Sequence, residues 1–166
     1  MSEMQIVHYD IQSPIGELRI IGTSLALFRI CFANDKSRNE GIGKPVHDLT
    51  LFPAIEEVVH FITDYFQGKT KHWEIKSPLG GTEFRENVWN LLTNVAFGTT
   101  VSYSELAAMA DRPGAARAVG SAMANNPIPI LVPCHRVLHA DGGLGGFGGG
   151  LDAKEWLLNF EKEHSN

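Results

Sequence analysis

The sequence predicts an α/β protein in two small domains. An N-terminal α/β domain over residues 1–77 has an antiparallel sheet plus one helix, and a mainly helical C-terminal domain over residues 78–166 contains a helix-turn-helix. Three observations predict this. The opening stretch, "MQIVHYDIQSPIGELRIIGTSLALFRICFAN", alternates and is rich in β-branched and aromatic residues, as strands are. Past "SPLGGTEF" the apolar spacing becomes helical. Two short helical segments then flank a "DRPG" turn, the outline of a helix-turn-helix.

In the opening stretch "SPIG" and "GTS" punctuate three strands of an antiparallel meander. Residues 35–50 read as a loop. From Pro53 to about Gln67, Ile55, Val58, Val59, Ile62, Tyr65 and Phe66 recur at helical spacing, and Gly68 is the terminator. Thr82 caps a helix whose Phe84, Val88, Leu91, Leu92 and Val95 form one stripe, ended by "FGTT". Ser102 and Glu105 stand at capping-box spacing and open the helix "YSELAAMA". The next helix, "AARAVGSAMA", consists almost wholly of small side chains. A plain helical hairpin fits the turn pattern too, but so smooth a helix lets another backbone, or a nucleic-acid groove, come close. The run Ile128–Val132 reads as an extended strand with prolines suited to an edge, placing Cys134 at its end.

Composition excludes several classes. No apolar run approaches the roughly 20 residues that span a bilayer, and "MSEMQIVHYD" lacks the basic and apolar regions of a signal peptide. These features predict a cytoplasmic protein without a membrane partner. Net charge is -5, with 8 Lys/Arg against 10 Asp/Glu in residues 1–81 and 6 against 9 in residues 82–166. Any nucleic-acid role must work without a strongly basic surface. Cys31 and Cys134 are the two cysteines and form no C-x-x-C pair, so neither a disulfide framework nor a cysteine zinc site is expected. His8, His47, His60 and His72 are scattered, and no required metal or cofactor is predicted.

Cys31, inside "LFRICFAN", reads as packing. Cys134 differs, because Asn126, His135 and Arg136 crowd the same segment. A thiol with an ordinary pKa of about 8.5 is only slightly ionised at neutral pH, so a nucleophile needs a base or a positive charge beside it. His135 is the candidate base. Adjacent residues of an extended chain face opposite ways, which favours a bridging water over direct contact. A carboxylate is then needed to orient the ring. In "LDAKEWLLNFEKEH" Glu161 falls in the apolar arc of Ala153, Trp156, Leu157, Leu158 and Phe160, but so does Lys154, and position alone leaves the burial of Glu161 open. Between Cys134 and this helix, "DGGLGGFGGGL" lacks the P-loop and dinucleotide fingerprints. It reads as a loop whose backbone approaches a flat ligand.

"PCHRV", "NNPIPILVPCHRV", "VSYSELA", "PGAARAVGSAM" and "KEWLLNFE" together resemble the O6-alkylguanine-DNA alkyltransferases. The resemblance covers nearly all of residues 82–166, and more weakly the "SPIGEL" start. It implies a winged form of the helix-turn-helix and repair of DNA by direct reversal. Cys134 would take the alkyl group from O6-alkylguanine, with O4-alkylthymine as a further substrate, once per molecule. His135, through a water, and Glu161 would form the relay, and Asn126 the hinge between the helix pair and the cysteine segment. Tyr103 would help rotate the nucleotide and protonate the leaving guanine. Arg117 would fill the gap in the duplex. Ala115, Ala116 and Gly120 would line the recognition helix in the minor groove, while Val137, Phe147 and Gly148 would line the base pocket. The implied partner is double-stranded DNA containing alkylated guanine, bound by a monomer.

The chemistry of the lesion agrees with these roles. An alkyl carbon on a base edge is reached only by flipping the base, and an inserted side chain and a close helix offset that cost. Few phosphate contacts are expected, from backbone N–H groups plus Arg112. Where many members of the family have Tyr followed by Ser or Ala, this chain has Phe147 and Gly148, which predicts a pocket tolerant of bulky adducts such as benzyl. A non-catalytic damage-binding module is opposed by Cys134 itself. A cysteine hydrolase leaves Arg117 unexplained, and a plain helix-turn-helix regulator leaves "PCHRV" unexplained.

Overall fold

The computed structural model describes residues 5–165 and divides the chain into two compact units, one up to Thr70 and one from Lys71 onward. Residues 71–82 form no regular element, and the 77/78 boundary expected from sequence falls within that stretch.

In the first unit β1 (Val7–Ile11), β2 (Leu18–Gly22) and β3 (Leu27–Phe32) form the antiparallel meander. Ile20 faces Tyr9 on one side and Ile30 on the other. The first turn closes through paired backbone bonds between Ser13 and Gly16, with Gly16 at φ +103°. At the second turn a side chain on Gly22 would lie 2.3 Å from the Ala26 carbonyl oxygen, so the bulge there needs glycine. The loop expected over residues 35–50 requires a correction. Residues Lys44–Pro45 form a short strand, β4, parallel to β1, and the sheet order is β3-β2-β1-β4. A two-residue strand carries no periodicity to read, and its proline suits only an edge. Helix α1 (Pro53–Tyr65) starts with proline in its first turn and buries Ile55, Val58, Ile62 and Tyr65, as its spacing predicts.

The second unit begins with α2 (Glu83–Thr93), capped by the Thr82 hydroxyl, which accepts from the Arg85 N–H. It ends at Thr93, earlier than "FGTT", because Asn94 N bonds back to Leu91 and Leu92. Val95 therefore lies beyond the helix. Trp89, outside the predicted stripe, is buried and donates its indole N–H to the Ala122 carbonyl at 2.9 Å. Strand β5 (Val101–Ser102) leads into α3 (Tyr103–Met109), where the capping box between Ser102 and Glu105 is complete. Asp111, in the following turn, has φ +59°, a conformation Asp tolerates better than most residues. Helix α4 (Ala116–Ala124) follows with Ala115 at its cap, burying Val119 and Ala122.

The strand expected over Ile128–Val132 is not formed. Pro129 and Val132 make one isolated bridge, Val132 N bonds to Ile128 O, and Ile130 has φ +75°. Pro127, Pro129 and Pro133 remove ladder donors, and the run curls into a buried loop. A β-branched residue with positive φ is strained, by about 1–3 kcal/mol, and the chain keeps this strain four residues before Cys134. The cysteine opens a 3-10 turn, Cys134–Arg136, which leads into β6 (Val137–Leu138), paired in parallel with β5. Helix α5 (Leu151–Glu163) closes the unit after Gly150, which has φ +96°. Among the described residues no helix is long and apolar enough to cross a membrane.

Candidate functional site

The 3-10 turn changes how Cys134 and His135 relate. Successive side chains of such a turn diverge by about 120°, so His135 points away from Cys134 and is fully buried in the protein. Cys134 is 8% exposed and its backbone N–H donates to Val132 O at 2.8 Å. Asn126 organises the loop on which it sits. Its Nδ2 donates to Val132 O at 2.8 Å and its Oδ1 accepts from Ile128 N at 3.0 Å. Burial pushes the Cys134 thiol up; Asn126 and the charge of Lys154 pull against that rise.

His135 is fully buried, and its Nε2 lies 2.7 Å from Glu161 Oε2. Glu161, 1% exposed, also takes a two-pronged bond from Arg136, with Nε to Oε1 at 2.8 Å and Nη2 to Oε2 at 2.9 Å. Gly98 N donates to Oε1 at 3.2 Å. Arg136 spends its third nitrogen on Val95 O at 2.7 Å and lies 5.7 Å from the centroid of Phe97. Burial alone would push Glu161 up, but the bonds and charges of His135 and Arg136 outweigh it and hold the carboxyl well below the usual range. Burial pushes His135 down, against the pull of Glu161. The carboxylate is thus ionised and the imidazole neutral at pH 7. An ionised Glu161 fixes the tautomer: Nε2 carries the proton and Nδ1 is the acceptor. Nδ1 is buried with no hydrogen-bond partner among the described residues, the Cys134 sulfur included.

Two functional groups escaped sequence reasoning. Arg136 was noted only as a neighbour, yet it forks Glu161. Lys154 is fully buried, donating from Nζ to Val137 O at 2.7 Å and Gly146 O at 3.3 Å. It ties β6 to the glycine-rich loop. Burial pushes the Lys154 ammonium down and the nearby Cys134 charge pushes it up. Its position in the apolar arc was the available signal: a lysine there needs carbonyl partners to be buried.

Tyr103 stands at the start of α3, half-buried, between the second helix of the pair and the loop. A side chain on Gly145 would come within 2.6 Å of its hydroxyl, and one on Gly120 within 4.0 Å of its ring. The His139 ring packs 5.2 Å away. Burial and the Cys134 charge raise the Tyr103 phenol, against a bond from Gly146 N. Phe147 meets the His135 ring edge-on at 6.4 Å, Val137 is buried, and Gly148 is exposed. Arg117 is exposed on α4, while Ala115, Ala116 and Gly120 are half-covered. Cys134, Asn126, His135 and Glu161 thus form one cluster. Tyr103 adjoins it, and Arg117 is placed on the outer surface of the helix pair.

Fold and site together define a helix-turn-helix protein with a buried thiol, followed directly by a histidine that is hydrogen-bonded to an ionised carboxylate. Residues 83–163 match the family model described as 6-O-methylguanine DNA methyltransferase, DNA binding domain. A methylated-DNA–protein-cysteine methyltransferase of Mycolicibacterium paratuberculosis is 39% identical over 160 residues, 96% of this chain and 94% of the relative. The crystal structure of the Mycobacterium tuberculosis O6-methylguanine methyltransferase superposes with a TM-score of 0.83 at 36% identity, covering 97% of this chain and 95% of that one. An M. tuberculosis OGT in complex with DNA has a TM-score of 0.83 at 38% identity, covering 95% and 93%. The chain belongs to the methylated-DNA–protein-cysteine methyltransferase family.

Proposed function

We infer that this protein repairs DNA by direct reversal, taking the alkyl group of O6-alkylguanine in double-stranded DNA onto Cys134, once per molecule. The observation that carries this reading is the wiring of Cys134. The thiol is buried at the end of a loop held by Asn126, and the next residue is a neutral His135 whose Nε2 is held by an ionised Glu161. In the proposed reaction His135 Nδ1 takes the thiol proton through a water, and Glu161 stabilises the imidazolium. The sulfur bonds the alkyl carbon as the carbon–O6 bond breaks, and that electron pair passes into the guanine. Tyr103, whose phenol is pushed towards its protonated form, supplies a proton to the leaving base and regains one from solvent.

Helix α4 is the duplex-facing helix of this reading, lying in the minor groove. Arg117 enters the stack as the lesion leaves it, offsetting part of the few kcal/mol that flipping costs. The glycine-rich loop, tied down by Lys154, forms the wall of the base pocket. One flipped nucleotide occupies one thiol, so a monomer suffices. The test compares the parent protein with Cys134→Ala on a duplex carrying a single O6-methylguanine. The parent should remove the methyl group and the variant should bind the duplex without doing so. A Cys134→Ala variant that still demethylates would overturn the assignment.

A further inference from the structure

We propose that Arg85 is a DNA-phosphate contact, carried by α2 but delivered to the exposed face of α4 by Ser121. The proposal rests on the reading of α4 as the duplex-facing helix.

Residues 82–166 contain six cationic side chains: Arg85, Arg112, Arg117, Arg136, Lys154 and Lys162. Arg136 and Lys154 are buried in the thiol site, and Lys162 lies in the last turn of α5. The remaining three converge on the helix pair. Arg117 and Ser121 are one turn apart on the exposed face of α4, and Arg85 Nη2 donates to Ser121 Oγ at 2.9 Å. Arg112, in the turn before α4, lies over the ring of Phe84 at 5.2 Å, beside Arg85 on α2. In a domain with more acidic than basic residues, the free positive charge of the helix pair is gathered here.

The placement of Arg85 is built into the packing. One turn further along α2, the buried bond from Trp89 Nε1 to Ala122 O fixes α2 against α4, so Arg85 starts from an anchored platform next to Ser121. A guanidinium has five N–H donors, and the bond to Ser121 uses one. Among the described residues no carboxylate pairs with Arg85. Glu86, its neighbour, gives its carboxylate to Leu79 N. The hydroxyl orients the guanidinium without neutralising it, leaving most donors for the oxygens of a phosphate.

The salt dependence of duplex binding tests this. Each phosphate contact contributes about 0.9 to the slope of log K against log[salt], so losing one spares about 3.5-fold of the affinity lost between roughly 50 and 200 mM salt. Arg85→Ala should bind more weakly, equally so on damaged and undamaged duplex, with its slope reduced by about that amount. Arg85→Lys should keep the slope. Transfer from the free base O6-benzylguanine, which has no phosphate, should be unchanged in both. An Arg85→Ala slope equal to that of the parent overturns the phosphate contact while the repair reading stands. A parent protein that neither binds nor repairs the duplex overturns both.

Discussion

Replacing Glu161 by Gln removes one charge from a buried group that accepts from His135, Arg136 and Gly98 at once. Arg136, 3% exposed, loses its counter-ion and keeps at most one side-chain oxygen beside Val95 O, and the new amide nitrogen has to face the guanidinium or the His135 N–H. Removing one partner of a buried pair costs about 3–5 kcal/mol, a large share of the roughly 5–15 kcal/mol that holds a domain folded. At about 2–4 °C per kcal/mol for a chain of this size, the melting temperature should fall by roughly 6–20 °C. Trp73, Trp89 and Trp156 all lie in the second unit, so tryptophan fluorescence reports its unfolding directly. Stability alone would not separate structure from chemistry. The pH profile of transfer from O6-benzylguanine does. Without Glu161 the imidazolium loses its stabilisation, and transfer near pH 7 should slow by about 10²-fold or more, the low end of general-base effects. The deficit should shrink as pH rises and the thiol ionises unaided. A variant that melts with the parent and transfers at the parental rate across the profile refutes the relay.

Lys154→Met keeps the bulk of the side chain but removes its charge. Because that charge pulls the Cys134 thiol down, the midpoint of transfer against pH should move up, whereas an unmoved midpoint denies Lys154 an electrostatic role. Glu161 is held below the usual carboxylate range and His135 below the usual imidazole value, so the unfolded chain takes up protons first at both. Their contribution is complete above about pH 6.5, the ordinary histidine value. It declines as pH falls through the histidine and then the carboxylate range, and urea midpoints measured from pH 7 to pH 3 should fall accordingly; a flat series contradicts this. Gly145→Ala places a methyl group 2.6 Å from the Tyr103 hydroxyl at φ +69°. It should slow repair of a duplex and lower stability by about 1 kcal/mol or more, and parental behaviour would show that Tyr103 is free to move. The Phe147 and Gly148 pocket should let O6-benzylguanine inactivate the protein at concentrations comparable to O6-methylguanine DNA; failure to do so would remove the case for a roomy pocket.

Much of this architecture was legible in the sequence where side-chain period or capping chemistry dictated it. Three alternating strands, the Thr82 cap, the Ser102–Glu105 box and the small-residue helix α4 all follow from local rules. What escaped was decided by tertiary partners. Ile128–Val132 has the composition of a strand, but with prolines in place of ladder donors it curls into a loop held by Asn126. The depth of Glu161 was undecidable from a helical wheel that also buried Lys154. The donors of His135, Arg136 and Gly98 around Glu161, and the carbonyls of Val137 and Gly146 around Lys154, make both burials tolerable. The expectation that His135 does not bond the sulfur directly agrees with the structure, although the backbone there is a 3-10 turn and not a strand.

In the proposed reaction Cys134 is an acceptor consumed by its own chemistry. The most direct measurement is the intact mass of the protein after incubation with an excess of duplex carrying O6-methylguanine, followed by peptide mapping. The expected result is a plateau at one added methyl group per chain, located on the peptide that contains Cys134, with one lesion repaired per molecule. Continued repair by an unmodified protein, or a methyl group found on any other residue, would contradict it.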